Sequence, residues 1–394
     1  MDDLSMDVIT MPSPENAAVK NGYDETVFAG LSDDDVVSRL ARRIGERAKT
    51  YYPGLDSRRV RVTGKAWGGR GSARTFKFEI RSGASGEKKT VFAKLYPIYP
   101  TFNPALYEYN TLGLLYKSMP AVDETCHVSR PLDFYPELNA YVMESAGTYT
   151  FRQYLLENNS VFSCGDSLAD LYETVSKCAV WLRTFHHVTK STKTRAFDFR
   201  AYWNSINQDC DYESLGAYGF KGETLAAMDA VIGKLASLDG AYDLACAKSH
   251  WDYTPAHVFL DHGRLRVIDI LGGDDIPIYE DLGRFLAAMS TVNNLPFHPL
   301  FDQRRAETAL CDRFLEAYAK DLRHNRKEFL LFTQVYKLKY LIVWFCGQRQ
   351  QVSAKIHPTA GKLFARLRLA RRFERPLQST VRELSHCLDS LALR

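Results

Sequence analysis

Along this chain the hydrophobic pattern changes period twice, from helical to alternating and back to helical. A helix is expected from about Ser32 to Lys49, with Ser32 as N-cap and Asp33, Asp34 and Asp35 in its first turn, where the helix dipole favours anions. From Val60 to Ser145 the pattern turns to strands. Residues 74–80 alternate, 82–86 supply turn chemistry, and 90–96 form a second strand. Asn103 and Pro104 open a helix running to about Lys117, with Leu106, Leu112 and Leu115 on one buried face. The strand 139–144 closes this part. Thereafter 168–187, 222–238, 304–323 and 326–346 read as helices. A small β-rich lobe followed by a larger helical lobe predicts an α+β fold.

Composition narrows the class. With 394 residues and 45% hydrophobic content, the chain is neither a disordered protein nor a small disulfide scaffold. Its net charge of +4 is too small to argue for nucleic-acid binding, and none is expected. The eight cysteines are single, with no C-x-x-C pair, so they read as reduced thiols of a cytoplasmic protein. The longest wholly apolar run, Tyr340 to Cys346, is far short of the roughly 20 residues of a membrane span.

Charge divides the chain further. Residues 1–35 carry nine acidic groups and one lysine, so 1–31 reads as a mobile acidic leader ahead of an N-lobe at 32–145. A helical C-lobe is expected at 146–352 and a basic helical tail at 353–394. Within the tail, Lys362, Arg366, Arg368, Arg371 and Arg372 are interleaved with leucine and phenylalanine. Such a segment suits either peripheral contact with an anionic membrane or glycolipid, through Lys362–Arg375, or packing on the helical lobe.

The most informative stretch runs Ser249-His-Trp-Asp-Tyr-Thr-Pro-Ala-His-Val-Phe-Leu260. A lone H-x-D has little specificity. Here it precedes an apolar strand, a four-residue turn at 261–264 and a second strand ending in Asp269. This is the layout of a kinase catalytic loop and its metal-binding aspartate.

On these residues the chain resembles the aminoglycoside/choline phosphotransferase branch of the protein-kinase-like fold, over roughly residues 55–320. The resemblance implies two lobes sharing a cleft for ATP and Mg2+. Gly68, Gly69, Gly71 and Ser72 lie where a glycine-rich turn covers the phosphates. Lys94 matches the phosphate-gripping lysine, and Glu108 its helix-borne partner. Glu144 and Ser145 fall at the hinge that receives adenine. Residues 178–187 resemble the helix before the catalytic loop, and 279–282 a segment whose Asp281 braces it. Asp252 is then the catalytic base, His250 orders the loop, and Asp269 with His257 takes the metal positions.

Three departures stand out: Trp251 replaces a small residue, Ile270 a tryptophan, and His257 an asparagine. The spacing H-x-D-x-x-x-x-H also resembles bacterial lipopolysaccharide kinases acting on heptose or octulosonic acid. The implied activity is transfer of the γ-phosphate to a hydroxyl of a small molecule or glycan, leaning to a sugar or glycolipid. Two alternatives stay open. The acidic residues Asp274, Asp275, Glu280 and Asp281 would suit a cationic acceptor such as an aminoglycoside or choline, or form a solvated loop. A catalytically dead scaffold that binds nucleotide or a partner is the other.

Overall fold

The computed structural model describes residues 31–392 apart from 56–59, 69–72, 84–85, 98, 100–101, 211–214, 216–219, 239–241, 262, 293–299, 321–325 and 356–370. In chain order it contains α1 (Asp33–Tyr51), β1 (Val60–Gly68), β2 (Arg74–Ser82), β3 (Lys88–Leu95), α2 (Pro104–Val122), β4 (Cys126–Val128), β5 (Pro131–Tyr135) and β6 (Ala140–Glu144). There follow α3 (Phe151–Asn158), α4 (Gly165–Val188), β7 (Lys190–Phe197), α5 (Phe199–Asp209), α6 (Gly222–Ala236), β8 (Tyr242–Ala247), β9 (Val258–Asp261) and β10 (Arg264–Val267). The last part holds β11 (Ile276–Pro277), α7 (Tyr279–Ser290), α8 (Gln303–Glu307), α9 (Ala309–Tyr318), α10 (Arg326–Lys355) and α11 (Arg371–Ala392). The leader expected at 1–31 lies, but for residue 31, outside the described residues.

The chain forms two compact units. The first comprises the chain up to Tyr149 together with Phe259–Leu271; the second holds Thr150–Val258 and everything from Gly272 onward. The segment carrying Asp269 thus joins the first unit, because β10 pairs in parallel with β4 and the Leu260 N–H donates to the Tyr149 carbonyl.

In the first unit a five-stranded antiparallel sheet has the order β1-β2-β3-β6-β5. One face carries Phe76, Phe78, Ile80, Val91, Ala93 and Val142, and packs on Val36, Leu40, Ile44 and Ala48 of α1. The expected cap on α1 is present as a capping box, Ser32 accepting from the Asp35 N–H and Asp35 from the Ser32 N–H. Strand alternation sends Lys94 to the opposite face, in register with Thr75 and Tyr141. The buried stripe of α2 is Glu108, Leu112, Leu115 and Met119. Leu106 is off it and 39% exposed, contrary to expectation, because six residues of helix turn it away from Leu112.

The second unit is mainly helical, with a small sheet ordered β11-β8-β7. Its core gathers α6, α10 and α11 around Leu341, Phe345, Phe373 and Leu377. By length and composition α10 is apolar enough to cross a membrane, yet most of that stretch is buried in this core. The single helix expected at 304–323 is two, α8 and α9, broken at Thr308, whose φ of −115° and ψ of −89° leave the helical region. Gly283 of α7 lies so close to α10 that an added Cβ would fall 2.5 Å from the Tyr336 carbonyl carbon and 2.6 Å from the Lys337 nitrogen. That close crossing sets α7 and its charged residues against Tyr340.

Candidate active site

In the first unit three sequence-predicted residues come together. The Lys94 ammonium lies 2.7 Å from Asp269 and 3.1 Å from Glu108, and also donates to the Tyr96 hydroxyl at 3.3 Å. Tyr96 in turn donates to Glu108. Each arrives for a local reason. Lys94 follows from strand alternation. Glu108 sits one turn into α2, whose start is set by Asn103 accepting the Leu106 N–H and by Pro104 at the first helical position. Asp269 follows β10 in the left-handed region, at φ 66°.

Burial opposes the charge on Lys94, but Asp269 and Glu108 together hold its ammonium well above the ordinary lysine value. Burial raises Glu108 above the usual carboxylate value despite the Lys94 cation, with Asp269 pushing the same way. Two carboxylates thus face one ammonium, an excess of negative charge suited to a cation. Glu108 is fully buried, whereas Asp269 is partly open.

Of the glycine-rich turn, Gly68 ends β1, while Gly69, Gly71 and Ser72 lie outside the described residues. Beside it an exposed Trp67 has the Lys65 and Lys77 ammoniums 5.4 and 4.7 Å from its ring. At the expected hinge the two amides have partners within the unit. The Glu144 N–H donates to the Arg130 carbonyl and the Ser145 N–H to the Thr90 carbonyl, so those amides are spent in the sheet and not offered to a base. The Glu144 carboxylate pairs with Arg130 at 2.8 Å.

In the second unit the loop after β8 is pinned by Asp281. Its carboxylate accepts from the Ser249 hydroxyl at 3.0 Å, the His250 N–H at 2.8 Å and the Trp251 N–H at 3.2 Å. Burial would raise this carboxyl, but the His186 hydrogen bond, the neighbouring imidazoles and the His250 N–H hold it below the ordinary value. An ionised Asp281 only accepts, so His186 Nε2, 3.2 Å away, donates to it, and His186 Nδ1 lies 2.7 Å from the Tyr318 hydroxyl. The pinned turn forces Trp251 to φ 71°. For a bulky residue that conformation costs on the order of 1–3 kcal/mol.

His250 is fully buried against Trp181, Phe185 and Tyr253, and its Nδ1 accepts the Asp252 N–H at 3.3 Å. It orders the loop from below. Asp252 keeps a half-exposed carboxylate, flanked by Arg284 Nη1 at 3.4 Å and His257 Nδ1 at 3.4 Å. The shorter contact of His257 Nδ1 is 2.8 Å to the Asp252 carbonyl. That ring nitrogen therefore serves its own loop.

Arg284, His186, Tyr318 and Tyr340, which complete the network around this loop, were not singled out from the sequence. Arg284 donates to the Tyr340 hydroxyl at 3.2 Å and lies 4.3 Å from the Tyr340 ring and 5.8 Å from that of Trp251. Its spacing of three from Asp281 on α7 was the available signal. The acidic cluster is not an open cation trap. Asp274 pairs with Lys248 at 2.6 Å, Asp275 with Lys193 at 2.6 Å and Glu280 with Lys339 at 2.7 Å, while Asp281 is buried in the loop network.

In the tail, Lys362, Arg366 and Arg368 lie outside the described residues. Arg372 donates to the Thr291 carbonyl and to Gln348, and Arg375 pairs with Glu307. These two arginines are engaged by the helical unit.

No protein-family model matches the chain, and no curated protein does. Solved structures do. A glucosamine kinase, in two crystal forms, aligns at TM-score 0.50 in each. The first is 15% identical over 78% of this chain and 76% of that one; the second is 14% identical over 82% and 81%. A choline kinase from Cryptosporidium parvum is 10% identical over 88% and 97%, at TM-score 0.48. With its antiparallel five-stranded unit, its helical unit and this structural likeness, the chain has the two-lobed protein-kinase-like fold.

Proposed function

We propose that this protein is an ATP-dependent phosphotransferase acting on a hydroxyl of a sugar or glycolipid. The observation that carries the reading is Lys94, buried between Glu108 and Asp269. A lone buried lysine in a strand has no structural need for two acids, whereas a phosphate-gripping lysine needs one partner to hold it and a metal needs the other. Asp269 offers a hard carboxylate oxygen and the local excess of negative charge fits Mg2+. Among the described residues no cluster of three His, Cys, Asp or Glu side chains would hold a metal unaided. The ion would therefore draw further ligands from nucleotide phosphates and water, as Mg2+ commonly does. When bound, it would neutralise charge on the transferring phosphate.

The residues of the chain then divide the work. Lys94 binds phosphate oxygens, and Glu108 and Tyr96 hold Lys94. Asp252 takes the proton of the acceptor hydroxyl as its oxygen bonds to the γ-phosphorus and the bond to ADP breaks. The products are ADP and a phosphate monoester, and the proton leaves Asp252 for solvent. The internal pairing of Asp274, Asp275 and Glu280 weighs against a cationic acceptor.

The test is a thermal shift with Mg-ATP followed by an acceptor panel of heptose, octulosonic acid, hexoses, aminoglycosides and choline. Stabilisation by Mg-ATP at concentrations well above ordinary kinase affinities and turnover of sugars are expected. No stabilisation would sink the reading. A second reading, a nucleotide-binding scaffold without turnover, is motivated by His257, an imidazole at the position where the resemblance expects an asparagine amide oxygen. Stabilisation by Mg-ATP without phosphorylation of any acceptor would select it.

A further inference from the structure

Trp251 is an expensive residue in its place. It occupies a left-handed backbone position, held there by the Ser249 hydroxyl at 2.9 Å and Asp281 at 3.2 Å, where a glycine or asparagine would fit without strain. Its indole is 44% exposed, whereas its neighbour His250 and the nearby Tyr253 are fully buried. The protein thus accepts both backbone strain and an exposed large aromatic at the residue next to Asp252. Strain of this kind persists where it serves a site.

The surroundings limit what the indole meets. The Arg284 guanidinium, 5.8 Å from the ring, also reaches the Asp252 carboxylate, so ring, base and guanidinium share one small region of the second unit. Among the described residues Asp252 has Arg284, Glu280 has Lys339, Asp274 has Lys248 and Asp275 has Lys193, while Asp281 is buried in its hydrogen bonds to the loop. A cationic acceptor would meet carboxylates that already have cations, and the guanidinium beside the ring is held by Asp252. A neutral ring with an apolar C–H face and a rim of hydroxyls fits both surfaces: the face lies on indole, and the rim hydrogen-bonds to Arg284 and Asp252.

We propose that Trp251 is the platform on which an uncharged saccharide ring stacks, presenting a hydroxyl to Asp252. This rests on the phosphotransferase reading for its catalytic consequence, but sugar binding is measurable without it. The experiment titrates the full-length protein with hexoses and heptose, without nucleotide, and follows tryptophan fluorescence. A saturable change is expected in the wild type and its loss in Trp251→Phe and Trp251→Ala. With Mg-ATP and the best sugar, Trp251→Ala should raise the acceptor KM at least tenfold and leave the KM for ATP within about twofold. Trp251→Asn, which suits the left-handed backbone, should raise the melting temperature while weakening sugar binding; a tryptophan kept for packing would lower it. Absence of any fluorescence response to neutral sugars, an unchanged acceptor KM in Trp251→Ala, or use of charged acceptors alone would each overturn the proposal. Failure of Mg-ATP to stabilise a protein that still binds sugars through Trp251 would overturn the phosphotransferase reading instead.

Discussion

Asp281 and Arg284 stand one helical turn apart on α7 and grip the same loop by different parts. Asp281 takes the backbone N–H groups of His250 and Trp251, while Arg284 reaches the carboxylate of Asp252. One short stretch of helix therefore sets both the path of the loop and the placement of its one half-exposed acid. That division of labour depends on Gly283, which lies between them and lets α7 approach α10 closely enough for Arg284 to meet Tyr340.

Asp252→Asn and Asp269→Asn should fail differently. The first removes hydroxyl activation and no phosphate contact, so turnover should fall by roughly 10²–10⁴-fold with ATP affinity nearly unchanged. The second removes a hard oxygen ligand and should weaken Mg2+-dependent ATP binding. Isothermal titration with Mg-ATP beside steady-state rates separates them, and equal loss of nucleotide affinity in both would contradict the assignment.

Arg284→Met should lower kcat on the order of tenfold to a hundredfold with little change in the KM for ATP, because it frees the Asp252 carboxylate to swing. Arg284→Lys should restore only part of the rate, since an ammonium cannot reproduce the planar fork that meets Asp252 and Tyr340 together. Full activity in the methionine variant would show that Asp252 needs no such hold.

Asp281 makes the loop acid-sensitive. Its carboxyl is held below the ordinary value of 3.8 in the folded protein, so the folded state binds fewer protons there than the unfolded chain. Its contribution is therefore present above about that pH and is lost as pH falls through the lowered folded value. Melting temperatures measured from pH 6 down to 3 should drop less steeply in Asp281→Asn than in the wild type. Parallel curves would count against this source of the acid sensitivity.

Gly283→Ala should destabilise by about 1–3 kcal/mol, because its Cβ meets the α10 backbone rather than a side chain that can turn aside. Gly233, inside α6, has open space around it, and Gly233→Ala should stabilise by about 0.4–1 kcal/mol. Chemical denaturation of the pair gives opposite signs if the helix crossing is as tight as described.

Much of this arrangement was legible from residue order alone because its causes are local. The Ser32 cap, the alternation that turns Lys94 away from the α1 face, and the start of α2 at Asn103 each depend on neighbours a few positions away. What escaped depends on distant packing. Leu106 looked buried because apolar character alone does not say which stripe of α2 meets the sheet. Thr308 breaks a helix without any glycine or proline to announce it. The acids at 274–281 looked unpaired because Lys193, Lys248 and Lys339 come from other elements. Likewise, the amides of Glu144 and Ser145 could not be known to be occupied before their partners, Arg130 and Thr90, were placed.

The return of Phe259–Leu271 to the first unit bears on how the protein is made. The chain leaves that unit after Tyr149 and re-enters it at Phe259, so β10, the middle strand of the order β4-β10-β9, emerges from the ribosome only after residues 150–258. Until then β4 has no partner strand, and Lys94 has Glu108 but not Asp269. The first unit cannot finish folding in the order of its synthesis, and a fragment ending at Tyr149 lacks the Asp269 carboxylate that pairs with Lys94. The two units are thus interleaved in sequence, and neither can be cut out, or mature, as one continuous stretch of chain.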